Sequence, residues 1–180
     1  MSERMTVLVT GGAGYIGSHM VLALLDAGHR PVIIDDFSTG HEKLVPSGVP
    51  LFRGNVGDSA LVAEICDSHK IDAVAHFAAS IVVPESVTDP LKYYVNNTVN
   101  TTRFIAACVD AGIKRFVFSS TAAVYGNQDV SPINEGANTQ PENPYGSSKL
   151  MSEMVLRDSA AATDLSFVIL RYFNVAGADP

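Results

Sequence analysis

Basic residues and cysteine are scarce in this chain, and tryptophan is absent. Twelve lysines and arginines stand against nineteen aspartates and glutamates, a formal charge of −7 over 180 residues. Nucleic acid and anionic membrane both recruit basic surface, so neither is an expected partner. A phosphorylated ligand stays open, because a helix N-terminus binds phosphate through backbone N–H groups without any lysine. The only two cysteines, Cys66 and Cys108, are far apart and fall in helical patterns, so they read as buried thiols rather than a metal or redox site. No metal is expected. Apolar runs long enough to cross a bilayer are missing, and no signal-peptide core follows Met1-Ser2-Glu3-Arg4. The expected location is the cytoplasm. Low-complexity stretches, internal repeats and linkers are also missing, and 180 residues suit one domain with its own core.

What is present is an alternation of short apolar runs with helical stretches. Strands are expected at residues 5–10, 31–35, 49–53, 72–76, 113–119 and 165–171. Helices are expected at 15–27, from an Asp58 cap to about 69, at 89–111 as one long helix, and at 145–162. A short helical turn is expected near 42–45, and a proline-marked loop (Pro132, Pro141, Pro144) precedes the last helix. Continuous runs such as Val7-Leu8-Val9 and Val32-Ile33-Ile34 suit strands buried on both faces. The expected fold is therefore α/β, a parallel sheet with helices on either side, which binds ligands beyond the carboxyl ends of its strands.

Thr10-Gly11-Gly12-Ala13-Gly14-Tyr15-Ile16-Gly17 lies where the first strand passes into the first helix. Glycines at this spacing serve a tight turn, close approach of backbone to a pyrophosphate, and packing of helix on sheet. Asp35 ends the second strand eighteen residues after Gly17, where a carboxylate can accept from ribose hydroxyls. It would repel a 2′-phosphate and no arginine lies beside it in sequence, so NAD is expected over NADP. Asp36 follows it at the same strand end.

Tyr145 and Lys149 stand four apart in a helical stretch, on one face and within reach of one another. An ammonium beside a phenol favours the phenolate, which makes a base of a group that ordinarily titrates near pH ~10. Ser119-Ser120-Thr121 ends a strand shortly before. Loop, strand end and helix together point to a nicotinamide enzyme that moves protons and hydride on a hydroxyl-bearing substrate. His76 reads as a packed, hydrogen-bonded residue, and Tyr93 and Tyr94 as packing residues.

The glycine loop, His76-Phe77-Ala78-Ala79, Tyr93-Tyr94-Val95-Asn96-Asn97, Ser119-Ser120-Thr121-Ala122-Ala123-Val124-Tyr125-Gly126, Tyr145 with Lys149, and Arg171-Tyr172-Phe173-Asn174 occur in order. In this combination the chain resembles the extended short-chain dehydrogenase/reductase superfamily, and within it the UDP-glucose 4-epimerases. The resemblance implies a Rossmann-like doubly wound sheet and a tightly held NAD. Gly11, Gly14, Tyr15, Ile16 and Gly17 would meet the pyrophosphate. Asp35, Asp36, Phe37, Ser38, Thr39 and Gly40 would line the adenosine ribose, and Asn55 and Val56 the adenine. Phe77, Ala78 and Ala79 would back the cofactor, with Asn97 near them and Phe173 near the nicotinamide. Thr121, Tyr145 and Lys149 would be catalytic, and Asn174 would join Thr121 and Tyr145 in holding the sugar nucleotide.

On that resemblance the reaction interconverts UDP-galactose and UDP-glucose. Tyr145 as phenolate takes the proton of the 4-hydroxyl, NAD accepts hydride from C4, and the 4-keto sugar turns over before hydride returns. Lys149 holds the nicotinamide ribose and lowers the tyrosine pKa, and Thr121 bonds the reacting oxygen. Related dehydratases need an acid pair after the threonine, where this chain has Ala122 and Ala123. Asn55 stands where relatives more often carry aspartate, Ile81 where some carry lysine, and Asn100 where many carry glycine.

A UDP-hexose is the implied partner, and a homodimer is left open. Family members run to nearly twice this length, with a carboxy-terminal lobe for the substrate. The expectation is the amino-terminal portion of such an enzyme, with turnover by these residues alone in doubt. The alternatives are a related dehydrogenase or reductase, and a non-catalytic NAD-binding module.

Overall fold

A computed structural model describes residues 4–178; the lead-in Met1 to Glu3 and the closing Asp179 and Pro180 lie outside the described residues. The elements run β1 (Thr6–Thr10), α1 (Tyr15–Asp26), β2 (Arg30–Asp35), a 3-10 turn (Glu42–Leu44), β3 (Leu51–Arg53), α2 (Ser59–His69), β4 (Ala73–His76), α3 (Val83–Thr88) and α4 (Pro90–Tyr93). A π-helical segment (Tyr94–Val99) leads into α5 (Asn100–Asp110), followed by β5 (Arg115–Thr121), a 3-10 turn (Ala122–Tyr125), α6 (Pro144–Ala162) and β6 (Ser166–Tyr172). The six strands form one parallel sheet in the order β3-β2-β1-β4-β5-β6. This is the Rossmann-like arrangement that the resemblance implies, and its parallel strands agree with the alternation of apolar runs. The order reverses between β1 and β4, and the crevice for a ligand opens there.

Strand alternation sends successive side chains to opposite faces. Leu8, Val32, Ile34, Val74, Phe116 and Phe118 face a large core closed by α2, α5 and α6. Val7, Val9, Ile33, Ala73 and Ala75 face a smaller one that includes Val21 of α1. This second layer is incomplete: on β6, Val168 is 54% exposed although it lies in a strongly apolar run. Double-sided burial therefore holds at the centre of the sheet and not at its β6 edge.

Helix ends follow local chemistry. Asp58 accepts from the backbone N–H groups of Ala60 and Leu61, and Asn143 from Gly146, so α2 and α6 start at side-chain caps. The long helix expected at 89–111 is not uniform. Asp89 caps a short turn, and a π-helical stretch separates it from α5. The pattern of apolar residues gave no sign of that insertion, nor of α3, whose six residues carry Pro84 in their first turn. The strand expected at 113–119 lies at Arg115–Thr121, which carries Thr121 to the strand end.

His76, at the end of β4, is buried between Phe104 and Phe118, with ring centroids 4.9 and 5.7 Å away. Its Nδ1 lies 2.7 Å from the Thr10 hydroxyl and its Nε2 3.0 Å from that of Thr101. The Thr10 oxygen already accepts from Phe77 N and Ala78 N, both at 3.1 Å. With both lone pairs engaged, Thr10 donates to Nδ1, which leaves the proton on Nε2 for Thr101. The ring is neutral: burial, with the Lys149 charge adding to it, brings the His76 pKa down to about 3.

A proton added at His76 breaks this arrangement, and the unfolded chain takes that proton first, near pH ~6.5. The contribution of His76 to stability is complete above that pH and declines as the pH falls toward about 3. Urea unfolding at pH 7 and pH 5 should show a loss of ~2 kcal/mol from this residue, at ~1.4 kcal/mol per pH unit. The corresponding difference should be smaller in His76→Gln by about that amount, and equal differences would refute the assignment.

Candidate functional site

The carboxyl ends of the strands border a cleft of about 600 Å³, a volume suited to a cofactor or small ligand. Its first wall is the glycine loop. A Cβ on Gly17 would stand 2.1 Å from the Gly11 carbonyl oxygen, and one on Gly11, whose φ is +66°, 2.8 Å from Ala78 N. Both positions need glycine for close backbone crossing. Helix α1 then opens at Gly14 with no acid in its first turn and, unlike α2 and α6, with no side-chain cap. Gly11, Gly14, Tyr15, Ile16 and Gly17 all line the cleft, so uncapped N–H groups and the positive helix end meet its contents. The loop fits a pyrophosphate.

The adenosine end follows from β2. Asp35 is 7% exposed; its Oδ2 accepts from Ala13 N at 2.9 Å and its Oδ1 from Phe37 N at 2.8 Å. Four lone-pair sites on a carboxylate leave two for ribose hydroxyls. Asp36 accepts from Ser38 N at 2.9 Å and Asn55 Nδ2 at 3.0 Å. Partial burial pushes its carboxyl up, but these hydrogen bonds outweigh it and hold the pKa below the usual range. Asp35, Asp36, Ser38, Thr39, Gly40, Asn55 and Val56 line this end.

Phe37 does not line the cleft. It takes φ +59° at the turn and packs its ring against the Arg53 guanidinium, 4.2 Å away. That arginine corrects the sequence reading: pairing of β2 with β3 sets Arg53 directly across from Asp35, a neighbour invisible along the chain. Its guanidinium engages Phe37 and, at 3.5 Å, Glu42.

Phe77, Ala78 and Ala79 form the floor after β4. Asn97 is not part of the lining. It is buried in the π-helical segment, where its Oδ1 accepts from Ser80 N at 2.8 Å while its Nδ2 donates to Ser80 O at 2.9 Å and Ser148 Oγ at 3.1 Å. Both amide hydrogens are engaged, so Asn97 fastens the loop after β4 to α6 and offers the cleft nothing. Its neighbour Asn96 lines the cleft instead.

At the far end β5 delivers Thr121 and α6 delivers Tyr145 and Lys149, all three on the lining with Phe173 and Asn174. The Thr121 oxygen accepts from Ala123 N at 3.1 Å, and its hydroxyl bonds Tyr145. Burial pushes the Tyr145 phenol above its ordinary value, partly offset by Thr121. Lys149 contributes no such offset here. Its own pKa is drawn down to about 7 by burial, with Glu153 opposing, and its Nζ lies 4.7 Å from the centroid of the Phe118 ring. The ammonium expected to make Tyr145 a phenolate is thus itself near its midpoint at neutral pH.

Besides Asn96, the lining residues that sequence reasoning missed include Ser119 and Tyr172, whose hydroxyls bond one another. Strand alternation was the available signal, since it puts Ser119 on the face of Thr121 and sends Ser120 the other way. Burial raises the Tyr172 pKa, with Ser119 opposing and Tyr145 adding to it. Among the described residues no group of three His, Cys, Asp or Glu could hold a metal ion, and no helix is long and apolar enough to cross a membrane.

The sequence profile of the NAD dependent epimerase/dehydratase family matches residues 7–180. The chain belongs to that family. The UDP-glucose 4-epimerase of Azospirillum brasilense is 59% identical over 174 residues, covering 97% of this chain and 50% of the relative. Among solved structures, the Brucella ovis UDP-glucose 4-epimerase in complex with NAD superposes with a TM-score of 0.95 at 44% identity, covering 97% of this chain and 54% of that one. The Thermotoga maritima UDP-glucose 4-epimerase with UDP-glucose gives 0.92 at 34% identity, covering 96% and 57%. The chain spans about half the length of the relatives it matches.

Replacing Gly17 by alanine should open the loop. We expect a loss of ~1–3 kcal/mol in urea unfolding from the backbone clash, and weakening of dinucleotide binding by at least about tenfold in calorimetry. Unchanged affinity would detach the loop from the cleft's function.

Proposed function

We propose that this chain is the NAD-binding portion of a UDP-glucose 4-epimerase and carries its acid–base residues. The observation behind this reading is the meeting of Thr121, Tyr145 and Lys149 with an uncapped, glycine-bounded helix end in one cleft. Family membership and the names of the matched relatives support the same activity. When bound, NAD supplies reversible hydride exchange with the sugar carbon.

The chain's own residues do the rest. The α1 end and glycine loop hold the pyrophosphate, and Asp35 accepts from ribose hydroxyls and disfavours a 2′-phosphate. Ala78 and Ala79 keep the floor flat. Lys149 hydrogen-bonds the ribose next to the nicotinamide. Tyr145 exchanges a proton with the sugar 4-hydroxyl, and Thr121 donates to the same oxygen and steadies its negative charge. Asn174 contacts the sugar nucleotide. Ala122 and Ala123 offer no proton for expulsion of a hydroxyl group as water, which separates the reading from a dehydratase. UDP-galactose and UDP-glucose are the proposed substrates, interconverted through a 4-keto sugar.

A homodimer belongs to the proposal. Leu91, Val95 and Val99 recur on successive turns and are 75, 54 and 41% exposed, beside exposed Met151 and Met154 on α6. Leu91→Glu should convert a dimer to monomer in sedimentation, and a wild-type chain that sediments only as monomer would remove this part of the reading.

The main test measures NAD affinity by calorimetry and conversion of UDP-galactose with NAD added. Tyr145→Phe should keep NAD affinity within about threefold and lower turnover by at least ~10². Accumulation of free NADH with substrate would make the protein a dehydrogenase, and retained turnover in Tyr145→Phe would remove Tyr145 from the chemistry.

A further inference from the structure

Helix α6 carries a second charged group that the epimerase reading does not use. Glu153 is fully buried, one turn beyond Lys149 on the same face of the helix. Its carboxylate accepts from the Ser120 hydroxyl at 2.5 Å, from Arg171 Nε at 3.0 Å and from Arg171 Nη2 at 2.6 Å. Arg157, a turn further on, approaches to 3.4 Å. The Arg171 guanidinium also lies over the Tyr125 ring, 4.8 Å from its centroid. Two desolvated charges of this kind give a fold little net stability, and an apolar pair of equal volume often does as well. Stability alone does not account for them.

Their position does. Ser120 immediately precedes Thr121 on β5, and Arg171 immediately precedes Tyr172 and Phe173 at the end of β6. One carboxylate therefore joins the three elements that bring Thr121, the Tyr145–Lys149 face, and Phe173 to the cleft.

Lys149 itself forms no direct ion pair among the described residues. The groups around it are Tyr145 and Glu153 on α6, His76 on β4 and the Phe118 ring on β5, with Arg171 of β6 behind Glu153. His76 is held neutral by burial and by the Lys149 charge, and burial keeps the proton on Tyr145. Glu153 supplies the negative charge in this set.

We propose that Glu153, gripped by Arg171 and Ser120, is a positioning residue for Lys149: it maintains the ammonium inside the cleft and fixes α6 against the ends of β5 and β6. Its functional meaning rests on the cleft being a NAD site, but the effect on Lys149 does not. The direction agrees with burial drawing the Lys149 pKa down to about 7 while Glu153 draws it up.

The test follows Lys149 by NMR in the full chain labelled with ε-carbon-13 lysine. There are five lysines, and Lys149→Met identifies the signal. Glu153→Gln removes the carboxylate and leaves the guanidinium, so the Lys149 midpoint should fall by about one pH unit. Glu153→Gln with Arg171→Met removes both charges, and its midpoint should lie between that of Glu153→Gln and the wild type. A midpoint equal to wild type in both variants, whatever their melting temperatures, overturns the proposal. If Glu153→Gln does not fold, the double variant decides alone: a lowered midpoint supports the proposal and an unchanged one ends it. NAD calorimetry on the wild-type chain separates the two readings, since failure to bind NAD would remove the cofactor reading and leave the Lys149 titration to stand or fall by itself.

Discussion

Between Gly17 and the Gly11 carbonyl there is no room for even one methyl group, and much of the molecule is arranged around that contact. It lets α1 lie close on the sheet, where Val21 joins the small core. The same turn sends Gly11 N to the Ile34 carbonyl and Ala13 N to the Asp35 carboxylate, which fixes the end of β2 against the end of β1. Backbone proximity, helix dipole and acid are thereby delivered to one place by a single steric constraint.

The other half of the cleft is governed by burial. Burial favours the uncharged form of every ionisable group, whichever sign its charge carries. It raises Tyr145 and Tyr172, brings Lys149 to about 7 and His76 to about 3. In this state the far end of the cleft tends toward neutrality, and only hydrogen bonds and the Glu153 carboxylate work against that tendency. A positively charged ring bound beside Tyr145 would tilt the balance toward phenolate. Proton transfer would then be coupled to occupancy of the cleft.

Most of the sheet could be read from the chain because parallel strands at its centre are continuous apolar runs and the helices between them carry local stop signals, such as Gly28 and Gly112 with positive φ. The glycine loop and the strand-end acids and hydroxyls were legible for the same reason: local sequence decides which end of a strand they occupy. What could not be read depended on contacts across the sequence. Arg53 meets Asp35 only through pairing of β2 with β3. Asn97 sits in a polar run with its amide committed to Ser80 and Ser148, which no spacing rule announces. Phe37, with its backbone in the left-handed region, packs its ring on Arg53, a partner set by the pairing of β2 with β3. The rule that an ammonium four residues away favours a phenolate was correct as electrostatics, but it left out desolvation, which acts on both partners.

The π-helical stretch at Tyr94–Val99 carries one extra residue per turn relative to an α-helix. Side chains before and after it are rotated relative to one another by ~100°, the angle of a single residue. Tyr93, ahead of it, reaches the loop carbonyl of Val82 and sets its ring edge toward Tyr145, while Thr101 and Phe104, beyond it, face His76 and the core. Loss of one residue here would restore a regular helix and turn one of these faces away from its partners. The segment can therefore accept many changes of identity on its solvent side, but a change in its length is a change of phase, felt at once in the cleft and in the core.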